Sequence, residues 1–285
     1  IVDAYDEPFS DPSQIPTYML CKFVKKEITV AISGEGADEL FGGYPRYINI
    51  TNFWNKIKNQ PELFSDLMEL LSNRFSSSKY LRLRSIGKKF RKYSHTNLDS
   101  LYQDEMSRWR PDEKLLKKSL FKNSFFEKNI YDQDNTFSTF RFLMMRDIIT
   151  YLPSNLLVKT DRASMSNSLE IRSPFLDNDL VNLIWSLPDD YIFRKTEKAI
   201  LKEILKEKLG QDFVNRKKQG FEPPLYKWLK GSLNQWAKDL LLSSNSYFEQ
   251  SDIRKLIFRF EKGEKKLTYK IWTIIMFMAW KNKYC

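Results

Sequence analysis

Histidine is nearly absent from this 285-residue chain: there is one, His95, in a stretch rich in Lys, Arg and Ser. Histidine-based acid–base chemistry and zinc ligation therefore lack their usual groups, and His95 reads as an exposed surface side chain. Cysteine is almost as scarce. Cys21 and Cys285 lie far apart, so neither a disulfide framework nor a Cys-His nucleophile follows, and a reducing cytoplasm is the simplest compartment. A secretory signal is missing, because Ile1 to Glu7 offers neither a basic start nor an apolar run. Long hydrophobic runs are missing too. The longest, Ile271 to Trp280, is broken only by Thr273 and has about half the length that spans a bilayer, so it predicts a buried helix and no membrane partner. There are no internal repeats and no low-complexity linker, although Pro61 and the Ser76-Ser77-Ser78 run mark a loop.

What the chain has is core material and positive charge. With 42% hydrophobic and 15% aromatic residues it can bury a sizeable core in one large domain or two, and disorder is not expected. The net charge of +11 would suit a polyanion, yet the excess is spread over helices. In Lys79 to Lys92 basic residues alternate with Leu and Phe, which fits either a nucleic-acid face or a solvated amphipathic helix. The second reading is preferred, and nucleic acid is not expected as a partner.

Periodicity places a helix over about Gln14 to Lys26, a buried strand at Thr29 to Ile32, and mostly helix thereafter. Asn97 to Tyr102 and Thr136 to Tyr151 read as helical, with Leu152-Pro153 stopping the second. Asp177 can cap a helix whose apolar face is Leu180, Val181, Ile184 and Trp185, ended by Leu187-Pro188. The next helix starts after Thr196, buries Ile200, Ile204 and Leu205, and has Gly210 in the C-cap position.

The chemistry centres on Thr29-Val-Ala-Ile-Ser-Gly-Glu-Gly-Ala-Asp-Glu-Leu-Phe-Gly-Gly43, an apolar strand running into a loop of glycines and acids. Open α/β sheets bind ligands at the carboxyl ends of their strands. Gly34 and Gly36 permit close backbone approach or positive φ, and Glu35, Asp38 and Glu39 bring three acids together. Adjacent carboxylates repel one another unless a cation sits among them, which makes an oxygen-ligated metal such as magnesium a natural companion. The plainer alternative is a surface turn leading into a helix N-terminus, where acids are favoured anyway. Carboxylates with Lys and Arg, and without His or Cys, are the set that clamps magnesium and phosphates during nucleotide chemistry.

The strings Ser33-Gly-Glu-Gly-Ala-Asp-Glu-Leu-Phe-Gly-Gly-Tyr-Pro-Arg-Tyr47 and Asp6-Glu-Pro-Phe-Ser-Asp11 closely resemble the synthetase domain of glutamine-hydrolysing asparagine synthetases. Tyr151-Leu-Pro-Ser-Asn-Leu-Leu-Val-Lys-Thr-Asp-Arg162, continuing through Leu169-Glu-Ile-Arg-Ser-Pro-Phe-Leu-Asp177, resembles that family's second signature, and Arg216-Lys-Lys-Gln-Gly-Phe221 its third. The resemblance covers residues 3 to 47, 151 to 230 and the last helix, and is weak between 50 and 145.

It implies an α/β fold class: the C-terminal part of a PP-loop ATP pyrophosphatase-like (adenine nucleotide alpha hydrolase-like) domain, mostly helical, over residues 1 to 285. It also implies a reaction in which the side-chain carboxylate of aspartate attacks the α-phosphorus of ATP, pyrophosphate leaves, and ammonia derived from glutamine displaces AMP. By motif position Ser33 and Gly34 would line the nucleotide, Asp38 would hold Mg2+, and Glu35 would face the acyl group and ammonia. Lys218 would stabilise pyrophosphate. Lys159, Asp161 and Arg162 would sit near the substrates, with Glu170 and Arg172 completing that wall.

Each assignment has a plainer rival. Glu170 and Arg172 could be outward positions of a strand, Lys218 part of a solvated basic run, and Asp161-Arg162 an ordinary ion pair. Asp6, Glu7 and Asp11 could be loop caps.

The family also carries an N-terminal cysteine nucleophile for glutamine and a Ser-Gly-Gly-x-Asp-Ser pyrophosphate loop, and neither pattern occurs here. The expectation is therefore a C-terminal portion that is inactive alone and whose partners include the missing glutaminase and PP-loop segment. Two other readings stand beside it. One is a catalytically dead module binding an anionic partner such as RNA; the other is an amidotransferase acting on a different acceptor carboxylate.

Overall fold

The computed structural model describes residues 1–76, 81–109, 115–116, 137–193, 196–214 and 221–285. It contains a two-stranded parallel sheet set among helices. Helix α1 (Gln14–Val24) leads to β1 (Val30–Ile32), which pairs in parallel with β2 (Glu170–Arg172) in the register Val30 to Glu170, Ala31 to Ile171 and Ile32 to Arg172. Between the strands run α2 (Ala37–Leu40), α3 (Pro45–Ile57), α4 (Glu62–Ser76), α5 (Leu81–Tyr93), α6 (Leu98–Met106), α7 (Thr139–Arg146), a π-helical segment (Asp147–Leu157) and α8 (Val158–Met165). After β2 come α9 (Asn178–Ser186), α10 (Asp189–Ile192), α11 (Ala199–Leu209), α12 (Gln211–Val214), α13 (Leu225–Lys230), α14 (Asn234–Leu242), α15 (Gln250–Glu261) and α16 (Thr268–Tyr284).

Local chemistry sets several element boundaries. Asn97 accepts a hydrogen bond from the Ser100 backbone N–H at 2.8 Å to start α6, and Asp177 accepts from Asp179 and Leu180 at 3.0 and 3.2 Å to start α9. Pro45 occupies the first turn of α3, and Gly210 (φ 89°) closes α11. Asp11 caps the approach to α1, accepting from Ser13 N at 2.9 Å and Ser13 Oγ at 2.7 Å.

Three apolar clusters hold these elements. Tyr5, Phe9, Cys21, Ala163 and Leu169 pack one face of the sheet, through Ala31 and Ile171, against α1 and α8. Tyr47, Trp54, Leu98, Tyr102, Phe140, Leu143, Met144 and Ile184 form the centre of the α2, α3, α6, α7, α9 and α10 group. The C-terminal helices enclose Leu229, Ile253, Phe260, Ile271, Trp272, Ile275 and Met278, so the apolar run in α16 is buried as its sequence predicts. Among the described residues no helix is long and apolar enough to cross a membrane.

The structure corrects four local expectations. Leu152-Pro153 does not stop the helix: the chain continues through Pro153 in the wider π form and passes directly into α8, and in that wider turn the proline ring no longer has to face an i−4 carbonyl. The predicted start at Thr136 lies outside the described residues. Ile204 is 51% exposed, because α11 meets the core through its first turn, at Ala199, Ile200 and Leu201.

The strand is also not buried as its β-branched residues predict. Val30 is 40% and Ile32 78% exposed, since the sheet face opposite α1 and α8 has no cover among the described residues. His95, finally, is largely buried. Its Nδ1 lies 3.0 Å from Ser100 Oγ and its Nε2 3.7 Å from Asp104, because the Asn97 cap folds the segment back onto α6. The basic helix α5 is tied to the same helix through Arg91–Asp104 and Lys92–Glu105.

Candidate functional site

The site is built where β1 becomes α2. Ser33 N donates to Arg172 O at 2.8 Å as the last rung of the parallel ladder, and Gly36 turns the chain into α2 with φ of 90°. The positive φ requires glycine there, and any Cβ would also force Leu176 to shift.

This turn sends the three acids in different directions. Glu35 points to α8, where its Oε1 accepts from Thr160 Oγ1 at 2.8 Å and lies 3.8 Å from Lys159 Nζ. Asp38 pairs with Lys198 Nζ at 2.9 Å. Glu39 turns inward to 1% exposure, and its Oε1 accepts from Tyr44 OH at 2.6 Å. Burial raises the Glu39 pKa above the usual carboxylate range, with the Tyr44 hydrogen bond acting against that shift. The expected crowding of three carboxylates is thus relieved by divergence: two find separate lysines and the third a phenol. Among the described residues no group of three His, Cys, Asp or Glu side chains is placed to hold a metal ion.

Lys198 is the cation that the sequence did not single out. It is a non-glycine residue in the left-handed region, with φ of 52°, at the start of α11. Backbone strain of this kind persists where the surroundings over-determine it. Gly43 makes room for the pair, since a Cβ there would lie 2.1 Å from Asp38 Oδ1 and 2.3 Å from Lys198 Cε.

Buried polar contacts brace the helix that carries Lys159 and Thr160. Asp147, fully buried at the start of the π-helical segment, accepts from Arg46, Tyr47 and Tyr102. The Arg46 guanidinium lies 3.6 Å from the centre of the Tyr44 ring and 5.0 Å from that of Tyr151. Burial pushes the Tyr44, Tyr47 and Tyr102 pKa values well above the ordinary phenol value, and that of Tyr151 up to about 12. Further along, Asn155 donates to Asp11 at 3.1 Å and Tyr5 OH donates to Lys159 O at 2.8 Å. No motif marks Asp147, because its three donors come from 101, 100 and 45 residues away.

The remaining sequence candidates are distributed unevenly. Ser33 joins the turn, its Oγ 3.0 Å from Ser173 Oγ, and Gly34 is exposed with no neighbour near its Cβ position. Asp161 is exposed on α8, and Arg162 pairs with Asp6 at 3.3 Å rather than with Asp161. Glu170 and Arg172 bond to each other at 2.7 Å on the open face of the sheet, both more than half exposed, while Glu35 lies against α8. The structure therefore brings Glu35 together with Lys159, and Asp38 with Lys198. It does not bring the Glu170–Arg172 pair to either. Lys218 lies outside the described residues.

The chain is 31% identical to asparagine synthetase (glutamine-hydrolyzing) 1 of Bacillus subtilis (strain 168) over 98% of its length, covering 44% of that protein. It is 28% identical to a putative asparagine synthetase (glutamine-hydrolyzing) of Mycobacterium bovis, covering 98% of the chain and 43% of that relative. It is 31% identical over 56% of its length to a putative asparagine synthetase (glutamine-hydrolyzing) 2 of Methanocaldococcus jannaschii, covering 30% of it. The chain thus spans less than half the length of these relatives. The asparagine synthase family model matches residues 1–282, and the chain belongs to that family.

Proposed function

We propose that this chain is the C-terminal portion of an ATP-dependent amide-forming ligase that makes asparagine from aspartate, through a β-aspartyl-AMP intermediate and with ammonia derived from glutamine. The observation that carries this reading is the pairing of two loop acids with two lysines at the carboxyl end of a parallel strand, Glu35 with Lys159 and Asp38 with Lys198. Such sheet ends bind nucleotides, and lysines aimed at a phosphate chain stabilise the charge that grows on leaving pyrophosphate.

In this reading Ser33 and Gly34 offer backbone to the nucleotide, and Lys159 and Lys198 leave their carboxylate partners in part to meet phosphate oxygens. Lys218 joins them. Glu35 stays on α8 and presents its carboxylate to the acyl group and the attacking ammonia. Asp161 and Arg162 border the same helix face, and Glu170 and Arg172 form the outer wall.

A single carboxylate such as Asp38 fits Mg2+, which keeps most of its waters and takes its other ligands from substrate phosphates. That ion, when bound, neutralises charge on the phosphates. The open face at Val30 and Ile32 supports the further reading that a segment carrying the pyrophosphate loop completes the sheet and the site, since parallel sheets are covered on both faces.

The test is pyrophosphate release with ATP, aspartate, ammonia and magnesium, comparing residues 1–285 with a protein extended to the length of the relatives. Turnover is expected only in the extended protein. Robust turnover by 1–285 alone would show that the nucleotide is held in another way.

A further inference from the structure

We propose that Thr160 is a positioning residue that fixes the Glu35 carboxylate for its part in the ligase reaction; the inference deepens the functional reading above and rests on it. Thr160 sits on α8 between two charged residues, yet its side chain turns inward and is 6% exposed. Its Oγ1 lies 2.8 Å from Glu35 Oε1. Lys159 Nζ, on the preceding residue, approaches the same oxygen from 3.8 Å. The ammonium is a mobile point charge on a long stem, whereas the threonine hydroxyl is a short donor on a β-branched side chain with few rotamers. Of the two, the hydroxyl sets the direction of the carboxylate.

The consequence is a carboxylate anchored through one oxygen. Oε1 is held on α8 and carries both contacts, while 22% of the Glu35 side chain reaches solvent. A carboxylate so fixed can receive a proton or orient a nucleophile without first losing rotamer freedom. α8 is itself held in place by Tyr5 OH on Lys159 O and, through the π-helical segment, by the buried Asp147. The hydroxyl is thus a rigid donor on a rigid helix. It also frees Lys159 to leave Glu35 for an anionic substrate without releasing the acid.

The experiment compares Thr160→Val, which keeps shape and loses the hydroxyl, with Thr160→Ser, which keeps the hydroxyl. Crystal structures of residues 1–285 carrying each change read the carboxylate directly. Val is expected to let Glu35 swing away from α8, and Ser to leave it in place. In the extended protein, Val should lower kcat for amide formation about tenfold, the scale of one hydrogen bond to a charged group, with KM for ATP nearly unchanged. Ser should restore the rate.

An unmoved Glu35 in the Val variant overturns the proposal, as does a displaced Glu35 with normal turnover, or a Ser variant as slow as Val. If the extended wild-type protein makes no amide, the ligase reading fails, and the two crystal structures alone decide whether Thr160 places Glu35.

Discussion

Two neighbouring regions of this molecule handle their polar groups and surfaces in opposite ways. Around Asp147 everything is closed: one buried carboxylate accepts from Arg46, Tyr47 and Tyr102, and the arginine is stacked on tyrosine rings. At the sheet, some of the most β-prone residues of the chain, Val30 and Ile32, face outward with no cover among the described residues, and an ion pair stands beside them in solvent. A buried charge is costly unless it is paired and hydrogen-bonded, and Asp147 finds three donors within this chain. The sheet, open on one face among the described residues, leaves apolar surface exposed, which is the basis for the proposal that a further segment covers it. The site sits where the two meet: α8 is anchored on the closed side, and the Ser33 to Asp38 turn opens on the other.

The sharpest way to break the contrast is to remove the hub. Asp147→Ala should cost about 3–5 kcal/mol, the scale for leaving a buried partner charge uncompensated, and urea unfolding of residues 1–285 would measure it. A loss under about 1 kcal/mol would show that the region is not closed. Lys218→Ala tests the proposed nucleotide chemistry through function. In the extended protein, ATP–pyrophosphate exchange should fall by roughly two to three orders of magnitude, as for other preorganised groups facing developing charge, while acceptor binding changes little. Near-normal exchange would make Lys218 a surface lysine.

A milder probe of the closed region is base. The phenols there hold their protons more tightly folded than unfolded, so their contribution to stability is complete below about pH 10 and is lost as pH rises towards the value of about 12 for Tyr151. Absorbance at 295 nm and far-UV circular dichroism should then report one coincident transition for these residues. Ionisation of Tyr47 and Tyr102 well before loss of helix would contradict their burial.

The same contrast explains what could be read in the sequence. Local signals carried well: the helix beginning at Asn97, the cap at Asp177, the glycine at 210, the apolar run of α16 and the strand followed by an acidic turn all depend on residues within a few positions of each other. Glu35, Asp38 and Lys159 stand in the long motifs, and the structure sets Glu35 beside Lys159 and Asp38 beside Lys198. What stayed hidden depends on distant partners. Lys198 meets Asp38 across 160 positions and bears a backbone angle that no composition rule anticipates. Glu39 looks like its neighbours in sequence and differs only because the turn at Gly36 points it inward. Pro153 reads as a stop only in α-helical geometry, and the π form removes the clash.

Ile32 sharpens the comparison at smaller scale. If the open face is a surface awaiting cover, Ile32→Ser should be nearly neutral in residues 1–285, within about 0.5 kcal/mol, because the side chain already meets water. In the extended protein the same change should cost about 1–2 kcal/mol, the transfer free energy of a side chain that folding there removes from solvent. Equal effects in the two proteins would mean that the added segment does not cover this face. Thermal unfolding of the four proteins, measured in parallel, distinguishes these outcomes.

The smallest expected effect on stability belongs to Glu170 and Arg172, and it separates structure from function most cleanly. Their ion pair is short, at 2.7 Å, but both side chains are more than half exposed. Water and salt therefore screen most of the attraction, and ordering two long side chains offsets much of the rest. A double-mutant cycle with Glu170→Gln and Arg172→Gln should give a coupling of about 0.2–1 kcal/mol at low salt, shrinking as ionic strength rises. If the pair is only an outward polar decoration of β2, turnover in the extended protein should be as indifferent as stability. If the two residues form a wall against the acceptor, as proposed, each single change should slow amide formation while leaving the unfolding midpoint unmoved. A loss of rate that tracked a loss of stability would instead return both residues to the role of surface positions on a strand.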